Sequence, residues 1–235
     1  MPTLPSAPRS PSTATAVAAY VEQLKAQTQA TQVRRTGRLI FALDATASRQ
    51  PTWDSACHLQ GVLFDSAAGL GGLDVKLVYY GGIECKASRW LSSSADLHRV
   101  MRSVSCVGGY SQIERVLNHA ITETRARKVD ALLFVGDAME EKVDLLCHLA
   151  GELGALGVPI FLFQEGNDPT AAAAFRQMAT LSKGAYLRFD LAGIDRLAEL
   201  LGAVAVFATG NRAALEAYGQ NKGGEVLRLT AQMKR

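Results

Sequence analysis

The chain has 235 residues, 48% of them hydrophobic, and its 25 basic and 22 acidic residues leave a formal charge of +3. That is enough apolar sequence for one full core with an appendage, and the near balance of charge, with no Lys/Arg-dense block interleaved with aromatics, argues against a nucleic-acid partner. The longest apolar stretches, Val158 to Phe163 and Leu200 to Ala208, fall well short of the roughly 20 residues that a membrane-spanning helix needs, so a soluble protein is expected.

Taken in order, residues 1 to about 13 are rich in Pro, Ser and Thr and read as a mobile tail. Val17, Tyr20, Val21 and Leu24 then share one helical face. Ile40, Phe41, Ala42 and Leu43 form a short continuous apolar run of the kind found in strands buried on both faces. Trp53, Ala56, Cys57, Leu63, Phe64 and Ala67 predict one broad-faced helix, Leu73 to Tyr80 a second strand, and Ile83 to Trp90 a short edge strand. Ile113, Val116, Leu117, Ala120 and Ile121 mark the next helix, followed by a strand at Ala131 to Val135. A helix through Val143 to Leu153, a strand at Val158 to Phe163, a helix from Asp168 to Leu181, a strand at Ala185 to Phe189 and a helix near Ile194 to Phe207 complete the alternation. Strands separated by helices imply right-handed βαβ units. The expected fold is therefore α/β, a doubly wound and mostly parallel sheet with helices on both faces. The division is a tail and helix over 1–36, a main domain over 37–209, and a polar tail or loosely packed helix over 210–235.

The four cysteines, Cys57, Cys85, Cys106 and Cys147, contain no CxxC pair, so neither a zinc cluster nor a dense disulfide framework is indicated. Cys57–His58 and Cys147–His148 read as a small packed thiol beside a surface imidazole. With no basic segment followed by an apolar core at the amino terminus, a reducing, cytoplasmic setting fits best.

Three short segments carry chemistry. In LIFALDATAS an apolar run ends in Asp44, with hydroxyls at Thr46 and Ser48, just past the carboxyl end of a strand, where open parallel sheets bind ligands. Ser111 follows Gly108, Gly109 and Tyr110 immediately before a helix, where capping is its bland role. Asp137 follows the strand ALLFV and a glycine. Glu140, Glu141, Glu165, Asp168 and Asp190 crowd the same predicted edge, Asp168 before Pro169 reading as a helix cap.

Together these segments resemble the metal-ion-dependent adhesion site (MIDAS) of von Willebrand factor type A domains. That family's pattern is DxSxS, then a Thr in a glycine-rich turn, then an Asp after the next core strand. The resemblance spans about Arg38 to Phe207. Thr46 replaces the first serine, Ser111 replaces the threonine and GDA replaces the usual TDG, exchanges that keep every ligand-capable oxygen. The resemblance implies a Mg²⁺ or Mn²⁺ site at Asp44, Thr46, Ser48, Ser111 and Asp137. Asp44 would act mainly through ordered water, Ser48 as a direct hydroxyl ligand, Ser111 directly or through water, and Asp137 through a water or directly, while Thr46 is not assumed to touch the ion unaided. Mg²⁺ prefers octahedral oxygen coordination and keeps water readily, so a charge-neutral site with an incomplete shell would accept a carboxylate from a protein partner. The implied role is a non-enzymatic binding module in an intracellular assembly.

Two alternatives stand beside it. Asp44 with Thr46, and Gly136, Asp137 and Asp144 later, also resemble a haloacid-dehalogenase-like Mg²⁺-dependent phosphotransferase. That reading leaves Ser48 and the GGYS turn unexplained, and its lysine has no clear home, since Lys128 and Lys142 lie at helix ends. The other alternative is a degenerate, metal-free type A domain that binds partners by packing alone. The partner and the oligomeric state are not legible.

Overall fold

The computed structural model describes residues 36–189 and 194–233. The predicted amino-terminal helix and Asp190 lie outside them. Six strands form one sheet: β1 (Gly37–Asp44), β2 (Leu73–Gly81), β3 (Glu84–Ala87), β4 (Ala131–Gly136), β5 (Ile160–Glu165) and β6 (Ala185–Phe189). Their order is β3-β2-β1-β4-β5-β6. β3 pairs antiparallel with β2 and every other pairing is parallel.

All eight residues of β1 are buried, as expected of a central strand covered on both faces. Alternation along it feeds two cores. Leu39, Phe41 and Leu43 join one with Trp53, Leu63, Leu97 and Leu201, and Ile40 and Ala42 join the other with Val116, Leu146 and Phe175. The first core is closed by α1 (Gln50–Leu59), α2 (Gly61–Ala67), α3 (Ser94–Arg102), α7 (Ile194–Lys222) and α8 (Gly224–Gln232). The second is closed by α4 (Ile113–Ala126), α5 (Val143–Ala155) and α6 (Pro169–Leu181). From β1 the chain builds outward to β2 on one side, and only later to β4 on the other. Strand order therefore reverses between β1 and β4, and a crevice opens outside their carboxyl ends, the usual ligand position in such sheets.

Three expectations need correction. The single helix over Trp53 to Ala67 is two, one ending at Leu59 and the next starting at Gly61, with Gln60 between them still in right-handed helical conformation. The edge strand is confined to Glu84–Ala87. Of the two alternatives for the carboxyl-terminal segment the helix is the one adopted, but it is packed, not loose: Leu215, Val226 and Leu229 are buried. Its polarity reflects narrow buried stripes. α7 breaks at Asn211 (φ 78°), whose side-chain oxygen accepts from Ala213 N at 2.8 Å and so restarts the helix. The Gln232 amide then accepts from Tyr186 N at 2.9 Å and donates to Tyr186 O at 2.8 Å. It satisfies backbone groups on the otherwise open edge of β6.

Candidate metal centre and the cleft around it

Five side chains from three segments of the chain deliver oxygen atoms to the crevice between β1 and β4. Asp44, Thr46, Ser48, Ser111 and Asp137 line one cleft of about 190 Å³, together with Ala47, Gly108, Gly109, Ala138 and Glu140. Asp44 ends β1, and its Oδ1 accepts from Thr46 N at 2.7 Å. That turn aims the chain into a 3₁₀ segment, Ala47–Arg49. The Thr46 and Ser48 hydroxyls lie 3.4 Å apart. Thr46 is buried and Ser48 exposed.

The loop before α4 reaches the cleft by a close backbone crossing. A Cβ on Gly109 would lie 2.6 Å from Gly82 N and 2.7 Å from Gly82 O in the β2–β3 turn, a separation only glycine allows. Val107 N donates to Ala45 O at 3.0 Å, tying the same loop to the end of β1. Ser111 does not cap α4: the cap position is Gln112, without a side-chain bond. Ser111 N donates to Glu140 Oε2 at 2.9 Å and Ser111 Oγ accepts from Glu140 N at 3.1 Å. The cap comes from Glu141, whose carboxylate accepts from Ile113 N at 2.7 Å and Glu114 N at 2.8 Å, placing negative charge at a helix amino terminus. These bonds fix the loop after β4 to the loop before α4. Gln164, fully buried, donates to Asp168 O at 2.9 Å and to Asp137 O at 3.4 Å, holding the Asp137 turn from below. Asp168 caps α6 through Ala171 N, as its sequence suggests.

Electrostatically the cleft is short of positive charge. Asp44 is 5% exposed, and among the described residues neither it nor Glu140 has an ion-pair partner. Burial pushes the Asp44 pKa above its ordinary value, against the hydrogen bonds from Thr46, and the neighbouring Asp137 charge pushes the same way. Beside it lies the fully buried Tyr80 hydroxyl. Burial, then the Asp44 charge, drives its pKa well above the usual phenol range. The one described ion pair to these carboxylates is from Arg49, Nε to Asp137 Oδ2 at 3.3 Å. The same guanidinium holds Glu165 Oε2 at 2.5 Å through Nη1, and Thr52 donates its hydroxyl to that oxygen. Glu165 is thus a partner of Arg49, outside the cleft lining. Sequence reasoning missed Arg49 and Gln164, because nothing local marks an arginine whose partners lie 88 and 116 positions away.

The donor set fits a hard divalent cation. It is all oxygen, mixes carboxylates with hydroxyls, and includes a desolvated acid under like-charge pressure. Among the described residues no group of three or more His, Cys, Asp or Glu side chains forms a metal cluster, so the candidate rests on the mixed set. Away from the cleft, Trp53 is core, Trp90 packs under Arg38 at 3.9 Å, and His119 sits 3.7 Å from Glu123 on its own helix. All four cysteines are free, and His58 and His148 are exposed. No helix among the described residues is long and apolar enough to cross a membrane.

No protein-family model matches the chain, and no curated protein does. Solved structures do. BatB from Bacteroides thetaiotaomicron, a conserved hypothetical protein, aligns with a TM-score of 0.55 at 18% identity, over 72% of this chain and 98% of its own. The SpRpn10 VWA domain aligns at 0.58 and 10%, over 71% and 95%. Proximal thread matrix protein 1 from the mussel byssus, solved with a zinc-occupied MIDAS motif, aligns at 0.59 and 16%, over 72% of this chain and 46% of its own. The chain thus spans nearly all of the first two and under half of the third. Six mostly parallel strands in this order, covered by helices on both faces, make the architecture the von Willebrand factor type A, Rossmann-like α/β fold.

Proposed function

We propose that this chain is a divalent-cation-dependent protein-binding module, working in a cytoplasmic assembly, in which Asp44, Thr46, Ser48, Ser111 and Asp137 form a MIDAS-like site for Mg²⁺ or Mn²⁺. The observation that carries the reading is the convergence of these five side chains, from three separate segments of sequence, on one cleft at the strand-order reversal. When bound, the cation supplies an electrophilic contact for a carboxylate of the partner. The chain's own residues do the rest. Asp44 and Asp137 provide negative charge, Ser48 and Ser111 add neutral oxygen, and the Ser111–Glu140 and Glu141–α4 bonds hold the two loops at fixed separation. Ile83, Val107 and Tyr110 are exposed on the abutting β2–β3 turn and 107–111 loop. An apolar rim of this kind suits a protein partner better than a free small acid.

A calorimetric titration with MgCl₂ or MnCl₂ tests the site. The intact chain is expected to bind, and Asp44→Ala to lose binding. Unchanged binding in Asp44→Ala would refute the assignment. Arg49 against Asp137 also favours one other reading, the metal-free interaction domain. Melting at millimolar Mg²⁺ separates the two, because a ligand held only by the folded state must raise stability. The phosphotransferase reading is less well supported: Lys128 donates to the carbonyls of Leu156 and Gly157, at the end of the sheet opposite Asp44.

A further inference from the structure

We infer that Arg49 is an internal competitor for the cation, a tethered guanidinium that occupies Asp137 when no metal is bound and so sets the affinity of the site. The inference rests on the cation-site reading above and extends it to a residue outside the ligand set. Arg49 is 8% exposed, yet its two acidic contacts are unequal. Toward Glu165 it makes a 2.5 Å charge-assisted hydrogen bond from Nη1, and the Thr52 hydroxyl steadies the same carboxylate oxygen. Toward Asp137 it offers Nε at 3.3 Å, but that N–H is buried without a hydrogen bond to any described acceptor. One contact is an anchor and the other is Coulombic proximity.

That asymmetry is what a displaceable counter-charge requires. Asp137 can turn toward a cation without unfastening Arg49 from Glu165, and Arg49 is not left buried without a partner when it does. Glu165 therefore decides how strongly Arg49 presses on the site. With the carboxylate present the guanidinium is shared, and without it the whole positive charge falls on Asp137. A unit positive charge one side chain away from a divalent ion costs that ion affinity.

The two substitutions should shift affinity in opposite directions. By calorimetry with MgCl₂ on the full chain, Arg49→Gln is expected to tighten binding by on the order of tenfold, and Glu165→Gln to weaken it by several fold. A purely structural pair would predict that both weaken binding, since each would loosen the cleft. Because Arg49→Gln leaves Glu165 buried and unpaired, Arg49→Gln/Glu165→Gln is measured as well. It should bind more tightly than Glu165→Gln alone, which isolates Arg49 against a neutral position 165. Equal or weaker binding in the double variant, with the wild type binding Mg²⁺ normally, overturns the role of Arg49 and leaves the cation site standing. Absence of Mg²⁺ and Mn²⁺ binding in the wild type and in all three variants overturns both.

Discussion

At the amino end of β1, Arg38 donates from its backbone to Asp130 at 2.8 Å and from its guanidinium to the carbonyls of Arg127 and Lys128. Its guanidinium lies over the Trp90 ring at 3.9 Å. Next to it Glu123 accepts from Lys76 at 2.5 Å and from the Trp90 indole at 3.0 Å, with Arg38 at 3.8 Å. At the carboxyl end of the same strand, Asp44 accepts from a backbone N–H while facing Asp137. Both ends bury charge. Burial works to raise the Glu123 pKa, but the bonds from Lys76 and Trp90 outweigh it and the pKa falls. For Asp44, burial wins and the pKa rises. Buried charge alone does not mark a site. Acid left short of cationic partners does.

The most forceful way to break the comparison is at Glu123. Glu123→Ala leaves Lys76, Arg38 and the Trp90 N–H without their common acceptor. The expected cost is about 2 kcal/mol, toward the low end for a charged network because the side chain keeps 20% exposure. Chemical denaturation should register that loss while Mg²⁺ affinity stays at the wild-type value. A fall in affinity of similar size would show that the two ends of β1 are coupled, and that the amino-end cluster is not merely structural.

Legibility followed locality. The apolar run into Asp44 was readable because a strand buried on both faces has no polar interruptions. Asp44, Thr46, Ser48 and Asp137 say little one at a time, and it is their joint likeness to the MIDAS pattern that singles them out. α3 is harder to read, and the sequence pattern places no element between Trp90 and Ile113. It buries just Leu97 and Met101, and its clearest signal is the reciprocal cap between Ser93 and Asp96. The capping role weighed for Ser111 fell to Glu141, because a carboxylate from another loop competes for the same N–H groups. Arg49 was not legible at all. Its meaning comes from Asp137 and Glu165, brought near only by the parallel sheet.

A smaller perturbation sharpens the contrast from the cleft side. Gly109→Ala places a methyl against the Gly82 backbone, which unlike a flexible side chain cannot move aside cheaply. The expected cost is about 1 kcal/mol of stability, accompanied by weaker Mg²⁺ binding because Ser111 moves with the loop. The pairing of a modest stability loss with a clear affinity loss is opposite to the pattern for Glu123→Ala. Full Mg²⁺ affinity in Gly109→Ala would mean that Ser111 contributes nothing to the site.

The smallest expected effect carries the opposite sign. Asp44→Asn keeps the side-chain shape and a carbonyl for Thr46 N, but removes a buried charge that faces Asp137. Without added cation at neutral pH, the variant should be more stable than the wild type by on the order of 0.5 kcal/mol, as when a site's functional strain is relieved. The pH dependence separates the two ends of β1 further. Because the folded pKa of Asp44 is raised, its contribution is fully present below the ordinary value of 3.8 and is lost as pH rises through the raised value. The advantage of Asp44→Asn should therefore shrink on acidification. Glu123 behaves in reverse, since its folded pKa is depressed: its contribution is present above the ordinary 4.5 and is lost as pH falls through the depressed value. Thermal melts of wild type, Asp44→Asn and Glu123→Gln from neutral pH down to about pH 3 would read both trends. If Asp44→Asn instead melts below the wild type at neutral pH, Asp44 anchors the fold as Glu123 does, and the carboxyl end of β1 loses its claim to be a strained, cation-seeking site.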